Sequence, residues 1–266
     1  MAATDGDGDA DGPVRLVVTG ATGRMGEELS DAAGDREDVL VVAAVSRTPG
    51  SVAAEAAVGT HLDAALADED HVDAVVDFTA PEATAEYAGI AAEHGIAFVT
   101  GTTGLEGHDA DPLGALDAAA ESVPVLHASN FSRGIAALRR AIREAATSLP
   151  GYDVEVTETH HNGKRDAPSG TALTLVEDIE AERPDLTERQ HGREGEAPRD
   201  DTEIGVHARR AGDVTGEHEV LFAGNRETLS LSHSAGDRGV FAEGALDAAA
   251  ALAGRDAGRY TFTDLL

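Results

Sequence analysis

The chain has 266 residues, of which 41% are hydrophobic and 3% aromatic, with no cysteine and a formal net charge of −30. That length supports one large domain or two modest ones with apolar cores, while the missing cysteines exclude disulfides, thiolate catalysis and Cys-ligated zinc. The charge excludes nucleic acid and anionic membranes as partners, because the mean field repels them, and no apolar run is long enough to predict a membrane span.

Residues 1–12 are predicted to be an acidic, solvated tail. They lack the basic and apolar regions of a signal peptide, so a cytoplasmic location is expected. Asp5, Asp7 and Asp9 imitate the start of a calcium loop. Ala10 stands where that loop needs glycine, however, and Leu16 where it needs a bidentate glutamate. The remaining acidity reads as adaptation to high salt, where the Debye length falls to about 3 Å at 1 M and surface carboxylates barely repel one another.

From Val14 onward strands and helices alternate. The apolar runs 14–20, 39–45, 72–78, 96–100 and 123–128 predict strands. Helices are predicted at 23–33, from near Pro81, before residue 123 and at 133–147. Continuous apolar strands separated by helices predict a parallel sheet covered on both faces. After about residue 130 the texture changes. Residues 152–159 alternate as a half-wet strand does, a helix follows Ser169, and 183–201 is charged and reads as a mobile loop. Residues 202–210, 216–224 and 226–234 read as antiparallel strands, with Ala223-Gly224-Asn225 at the hairpin turn. A last Ala-rich helix is predicted at 239–253, able to pack back on the first domain. The fold class is α/β: a Rossmann-like parallel-sheet domain with a smaller α+β domain that carries a mixed sheet.

Five segments carry chemistry. Gly20-Ala21-Thr22-Gly23-Arg24-Met25-Gly26 lies between the first strand and first helix. Its glycines permit close approach of a pyrophosphate to the helix N-terminus. The second strand ends Val45-Ser46-Arg47, with no carboxylate where a ribose 2′-hydroxyl is usually bound. Arg47, with Arg24, suits a 2′-phosphate, so NADPH is the expected cofactor and NADH a possible second. Gly101-Thr102-Thr103-Gly104 and Ala128-Ser129-Asn130-Phe131 each follow a strand, at the edge where open α/β sheets bind ligands.

The fifth segment runs from Glu158 to Leu173 and holds His160, His161 and Lys164. Lys164 is the only lysine of the chain. An ammonium can transfer a proton, whereas a guanidinium effectively cannot, which marks Lys164 as a candidate proton donor. Ser169 is a candidate helix N-cap, with the N–H groups of Gly170 and Thr171 facing a carboxylate ligand. His160 and His161 lie on extended chain and point opposite ways, so they differ in task. A zinc site is disfavoured because too few ligands lie nearby.

Taken together, GATGRMG (20–26), VVDFTAPE (75–82), GTTG (101–104), ASNFSRG (128–134), HHNGKRDAPSGTAL (160–173) and RRAGDVTGEHEVLFAG (209–224) resemble the dihydrodipicolinate reductase family over nearly the whole chain from Val14. The resemblance implies NAD(P)H-dependent reduction of a cyclic dicarboxylate, 4-hydroxy-tetrahydrodipicolinate, in lysine and diaminopimelate biosynthesis. It implies cofactor contacts at Gly20, Ala21, Thr22, Gly23, Arg24, Met25, Arg47, Gly101, Thr102, Thr103, Ala128, Ser129, Asn130 and Phe131. It implies proton transfer by His160 and Lys164, and substrate contacts from His161, Lys164, Gly170 and Thr171. A dinucleotide-binding domain at 13–130 with 240–266, a substrate-binding and oligomerisation domain at 131–239, and a homotetramer are expected. Ser46 departs from the acidic residue usual in the family. Another two-domain reductase, and a non-catalytic nucleotide sensor, are the rival readings.

Overall fold

The computed structural model describes residues 12–47 and 57–265. The acidic tail, with the Asp5, Asp7 and Asp9 reading, lies outside them apart from Gly12. The chain runs β1 (Val14–Thr19), α1 (Arg24–Gly34), β2 (Val39–Val45), β3 (Ala57–Gly59), α2 (Leu62–Ala67), β4 (Ala74–Asp77), α3 (Pro81–His94), β5 (Ala97–Thr100), α4 (Pro112–Ala120) and β6 (Pro124–His127). It continues with α5 (Arg133–Ser148), β7 (Asp153–His160), α6 (Gly170–Glu182), β8 (Glu188–His191), β9 (Glu203–Arg210), β10 (Gly216–Gly224) and β11 (Glu227–Ala235). It ends with α7 (Gly239–Leu252), β12 (Gly258–Tyr260) and a 3₁₀ turn at Phe262–Leu265. Two compact units result: Met1–Phe131 with Phe241–Leu266, and Ser132–Val240.

The first unit is built on a seven-stranded sheet ordered β12-β6-β5-β4-β1-β2-β3, in which every pair is parallel. Its central strands bury nearly all their side chains, as Leu16, Val17, Val18, Val75, Val76, Phe98 and Val99 do completely. Helices on both faces cause this, so apolar residues run on without alternation. Pro81 opens α3, where its missing N–H is not needed, and Gly95 closes it in the left-handed conformation at φ 71°. Gly244 of α7 lies so close to the Phe131 carbonyl that any β-carbon there would collide with it. The Phe131 ring packs edge-on against Phe262, with centroids 5.3 Å apart.

The second unit has a five-stranded mixed sheet ordered β11-β10-β7-β9-β8. One face packs on α5 and α6 through Ile135, Leu138, Ile142, Leu175, Ile179, Val154, Val156, Val220 and Phe222. In α5 the buried positions recur every three or four residues, the signature of one helical face. Asp178 of α6 is buried and takes both Arg139 (2.6 and 3.1 Å) and Arg143 (2.9 and 2.5 Å) from α5. That ionic clasp holds the two helices side by side.

The structure corrects three expectations here. β9 runs antiparallel to β10 but does not pair with it: β7 lies between them, and β9 pairs with β7 in parallel, because α6 carries the chain across before the strand re-enters. The segment 183–201 is not all loop: it contains β8, an edge strand parallel to β9. The hairpin turn is Asn225-Arg226, one residue further on than expected, with both residues at positive φ (46° and 66°), as a two-residue turn of this hand requires. Among the described residues no helix is long and apolar enough to cross a membrane.

Candidate cofactor and substrate sites

In the first unit the predicted cofactor residues all fall at the C-terminal edge of the parallel sheet. β1 gives way to Gly20 at φ 75°, and a β-carbon there would collide with the Phe78 carbonyl. One at Gly26 would collide with the backbone of Gly20 and Ala21. The chain therefore turns too tightly for any larger residue at either place. Gly23 caps α1 without a side-chain hydrogen bond. Thr22 and Ser46 share a short hydroxyl contact of 2.5 Å, so the end of β2 is tied to this turn. Ser46 is buried and the Arg47 side chain is exposed beside it.

The loop 101–104 follows β5. Gly101 N–H donates to the Asp77 carbonyl (2.9 Å) and Thr102 Oγ1 to the Asp77 carboxylate (3.0 Å), while Thr103 is exposed. His127, at the end of β6, approaches the Thr102 carbonyl at 3.1 Å through Nε2. Burial holds its pKa below the ordinary histidine value. Ala128 N–H donates to the Thr100 carbonyl, which places Ser129 and Asn130 just past the sheet edge. The Phe131 ring is only 1% exposed, so it serves the core and leaves its backbone for any ligand contact.

In the second unit the predicted residues cluster where β7 ends and α6 begins. Ser169 caps α6, its Oγ accepting from Ala172 N–H (3.2 Å). A β-carbon at Gly170 would meet nothing within 4 Å, so the first turn of the helix faces open space. His161 and Lys164 sit on the connecting loop, where Lys164 N–H donates to the His161 carbonyl (3.1 Å). The Lys164 ammonium rests 2.9 Å from Asp166. Burial opposes the charge on Asp166, but the Lys164 hydrogen bond, a backbone hydrogen bond and the charges of Lys164 and Arg210 together keep that carboxyl below its usual range.

Behind these residues lies a group that sequence reasoning missed. Glu158 is fully buried and accepts four hydrogen bonds. Arg210 supplies two at 2.8 Å each, Ser169 N–H one at 3.1 Å, and His160 Nδ1 one at 2.5 Å. Burial opposes ionisation of Glu158, yet Arg210 and then His160 hold its pKa below the usual value. A carboxylate can only accept, so His160 carries its proton on Nδ1 and turns Nε2 away from Glu158. Burial lowers the His160 pKa, and Lys164 and Arg210 add to this against the pull of Glu158. Near neutral pH His160 is therefore a neutral imidazole of fixed tautomer. The signal for Glu158 was present in the alternation of β7, which sets it on the same face as the core residues Val154 and Val156.

His218 of β10 completes the cluster. It stacks edge-on against His160 (centroids 5.3 Å apart) and hydrogen-bonds Ser169 Oγ through Nε2 at 3.2 Å. Burial, and then His160, push its pKa down to about 4. The native state thus binds fewer protons than the unfolded chain below the ordinary value of 6.5. His218 costs nothing above that pH, and its penalty grows as the pH falls from 6.5 to about 4, reaching about 3 kcal/mol. Urea unfolding at pH 7 and pH 4.5 should show this loss, and the loss should shrink in His218→Gln. An identical pH dependence in that variant would acquit His218.

Comparison with known proteins shows the family. Sequence models of the dihydrodipicolinate reductase N-terminus and C-terminus match residues 14–131 and 134–266. A 4-hydroxy-tetrahydrodipicolinate reductase of Natronomonas pharaonis is 51% identical over 251 residues, 94% of this chain and 99% of the relative. One from Haloarcula marismortui is 51% identical over 257 residues, 95% of this chain and 98% of the relative. Both are halophilic archaea, in keeping with the net charge of −30. A solved dipicolinate-bound dihydrodipicolinate reductase from Paenisporosarcina sp. covers 96% of this chain and all of its own at TM-score 0.78 and 24% identity, a likeness of fold. The chain belongs to the dihydrodipicolinate reductase family of pyridine-nucleotide oxidoreductases.

Proposed function

We propose that this protein reduces 4-hydroxy-tetrahydrodipicolinate to tetrahydrodipicolinate, with loss of water and oxidation of NADPH in preference to NADH, in the cytoplasm and on the route to lysine and diaminopimelate. The observation that carries this reading is the arrangement of one ammonium, one neutral imidazole and one open helix N-terminus within residues 158–171. A cyclic dicarboxylate needs donors for its two carboxylates and a proton for its reduced ring, and this segment offers both.

In this reading the glycine turn 20–26 and the first turn of α1 hold the pyrophosphate, Gly101 to Thr103 and residues 128–131 border the nicotinamide, and Arg24 and Arg47 take the 2′-phosphate. A bound reduced nicotinamide supplies the hydride, which goes to ring C4. The N–H groups of Gly170 and Thr171, His161 and the Lys164 ammonium bind the carboxylates, the substrate replacing Asp166 as the partner of Lys164. The proton comes from the Lys/His pair. We assign its delivery to Lys164, because His160 at neutral pH already has its one proton engaged by Glu158. The domain of residues 131–239 is the substrate domain, and the outward face of its mixed sheet, where Glu217, Glu219, Ser230 and Ser232 are exposed, is the assembly surface of a homotetramer.

The test is the loss of NADPH absorbance at high KCl with freshly generated 4-hydroxy-tetrahydrodipicolinate, with NADH in parallel. Rapid oxidation that needs the substrate is expected. Absence of oxidation by a folded, cofactor-binding protein would turn attention to another substrate or to nucleotide sensing. In the same assay Arg47→Ala should raise KM for NADPH about ten- to hundredfold, the worth of a charge-assisted contact, and leave NADH unchanged. Equal effects on the two cofactors would remove Arg47 from phosphate recognition.

A further inference from the structure

Asp77 is a buried carboxylate that the reading above leaves without a task. It ends β4, is 0% exposed, and accepts hydrogen bonds from five threonine hydroxyls. Thr19 (2.7 Å) and Thr79 (2.6 Å) donate to Oδ1. Thr84 (2.6 Å), Thr100 (2.8 Å) and Thr102 (3.0 Å) donate to Oδ2. Among the described residues its recorded partners include no cation. An unpaired buried charge is retained only where hydrogen bonds replace its water, and here five donors do so.

The registry explains how the hub is built. Thr19, Asp77 and Thr100 are in-register neighbours at the ends of β1, β4 and β5. Their side chains share one face of the sheet. Thr79 and Thr102 lie two residues beyond the last two of these, outside the strands. Backbone pairing therefore fixes Thr19 and Thr100, whereas Thr79 and Thr102, beyond the strands, are held through Asp77 and through their own N–H bonds to neighbouring hydroxyls. The direction of the bonds is also fixed. Thr79 N–H donates to Thr102 Oγ1 (3.1 Å), and Thr102 N–H donates to Thr100 Oγ1 (3.1 Å). Each of these two hydroxyls already accepts from the backbone and must send its own proton to Asp77. An amide group on that side of residue 77 would present a donor to atoms that are themselves donors.

We propose that Asp77 is the positioning residue of the nicotinamide loop: its carboxylate gathers Thr79 and Thr102 and so sets residues 101–103 in the place where they meet the nicotinamide half of the cofactor. This rests on the reading of that loop as the nicotinamide border. Asp77 touches no reacting atom, so its loss is felt by the nicotinamide half and not by the adenosine half, whose phosphates meet the glycine turn, Arg24 and Arg47.

The experiment measures binding of NADPH and of adenosine 2′,5′-bisphosphate, a fragment without nicotinamide, to wild type, Asp77→Asn and Thr103→Arg. In Asp77→Asn the NADPH Kd should rise about tenfold or more while the fragment Kd stays within about twofold. Thr103 is exposed, so Thr103→Arg obstructs the loop without disturbing the hub. Should Thr103→Arg weaken NADPH while Asp77→Asn does not, the positioning role is wrong and the loop reading stands. Should Thr103→Arg leave NADPH binding intact, the loop reading fails and the inference with it. Equal loss of NADPH and fragment in Asp77→Asn would make Asp77 merely structural and overturn the proposal. If Asp77→Asn does not fold, Thr102→Val, which removes one hydroxyl and keeps the shape, must reproduce the selective loss or the proposal falls.

Discussion

Lys164→Ala is expected to lower turnover by about 10²- to 10⁴-fold, the range for loss of a general acid, while the Kd for NADPH stays at its wild-type value. The reason is where Lys164 stands. It lies on the loop between β7 and α6, in the second unit, whereas every residue assigned to the cofactor belongs to the first. Its side chain is 22% exposed and its recorded partner is Asp166, itself largely in solvent, so the ammonium can exchange that partner for a substrate carboxylate. Two roles are folded into this one group, charge and proton, and Lys164→Arg separates them. A guanidinium keeps the charge and can hold a carboxylate, yet it does not release a proton at working pH. Lys164→Arg should therefore recover KM for the dicarboxylate toward wild type and leave kcat low. Steady-state kinetics of both variants, with NADPH binding followed by its fluorescence, decides the matter. Unchanged kcat in Lys164→Ala would take the residue out of the chemistry, and full activity in Lys164→Arg would reduce it to a charge.

The parallel sheet was legible because strands covered on both faces must be apolar throughout, and 14–20, 39–45 and 96–100 say so without any partner in view. The neighbour of β9 was not legible in the same way. Nothing in the residues of β9 says which neighbour it takes, and only the crossover through α6 sets it beside β7 and parallel to it. β8 escaped notice because Glu-Arg-Gln-His on a sheet edge has no buried face to advertise. The hairpin turn slipped by one residue because Arg226 adopts φ 66°, a conformation unusual for arginine.

The site divides along similar lines. His160, Lys164 and the Ser169 cap are close in sequence, so their common purpose could be read locally. The groups that hold them are distant along the chain: Arg210 reaches Glu158 across 52 positions and His218 reaches Ser169 across 49. No local pattern reports such pairs. Buried charge leaves a trace even so. Asp77 within Ala-Val-Val-Asp-Phe and Glu158 on the core face of β7 are carboxylates where a hydrophobic residue is expected. An acidic side chain in that position signals a partner waiting to be found.

Glu158 offers the sharpest case of such a partner set, and its removal should be felt in both stability and rate. Glu158→Ala deletes the acceptor of four hydrogen bonds at once. Arg210, only 19% exposed, loses the carboxylate that takes two of its hydrogen bonds, Ser169 N–H loses its acceptor at the start of α6, and His160 is free to turn. Breaking one side of a buried ion pair costs about 3–5 kcal/mol, because the remaining charge stays out of water. Turnover should fall as well, since the His160 tautomer and the aim of Nε2 are set by this carboxylate. Glu158→Gln tests the two effects apart. The amide keeps the volume and one acceptor oxygen, so the loss of stability should be smaller, while His160 loses the carboxylate that fixes its proton on Nδ1. The double variant Glu158→Gln with Arg210→Met removes both charges together, and it should regain stability over Glu158→Gln alone without regaining activity, because replacing both partners of a buried pair is far gentler than replacing one. Urea denaturation and kcat for the three variants give the answer. A Glu158→Ala protein within about 1 kcal/mol of wild type, below the range expected for a buried pair, would mean that Arg210 finds another anion or reaches water, and that the network is not what orients His160.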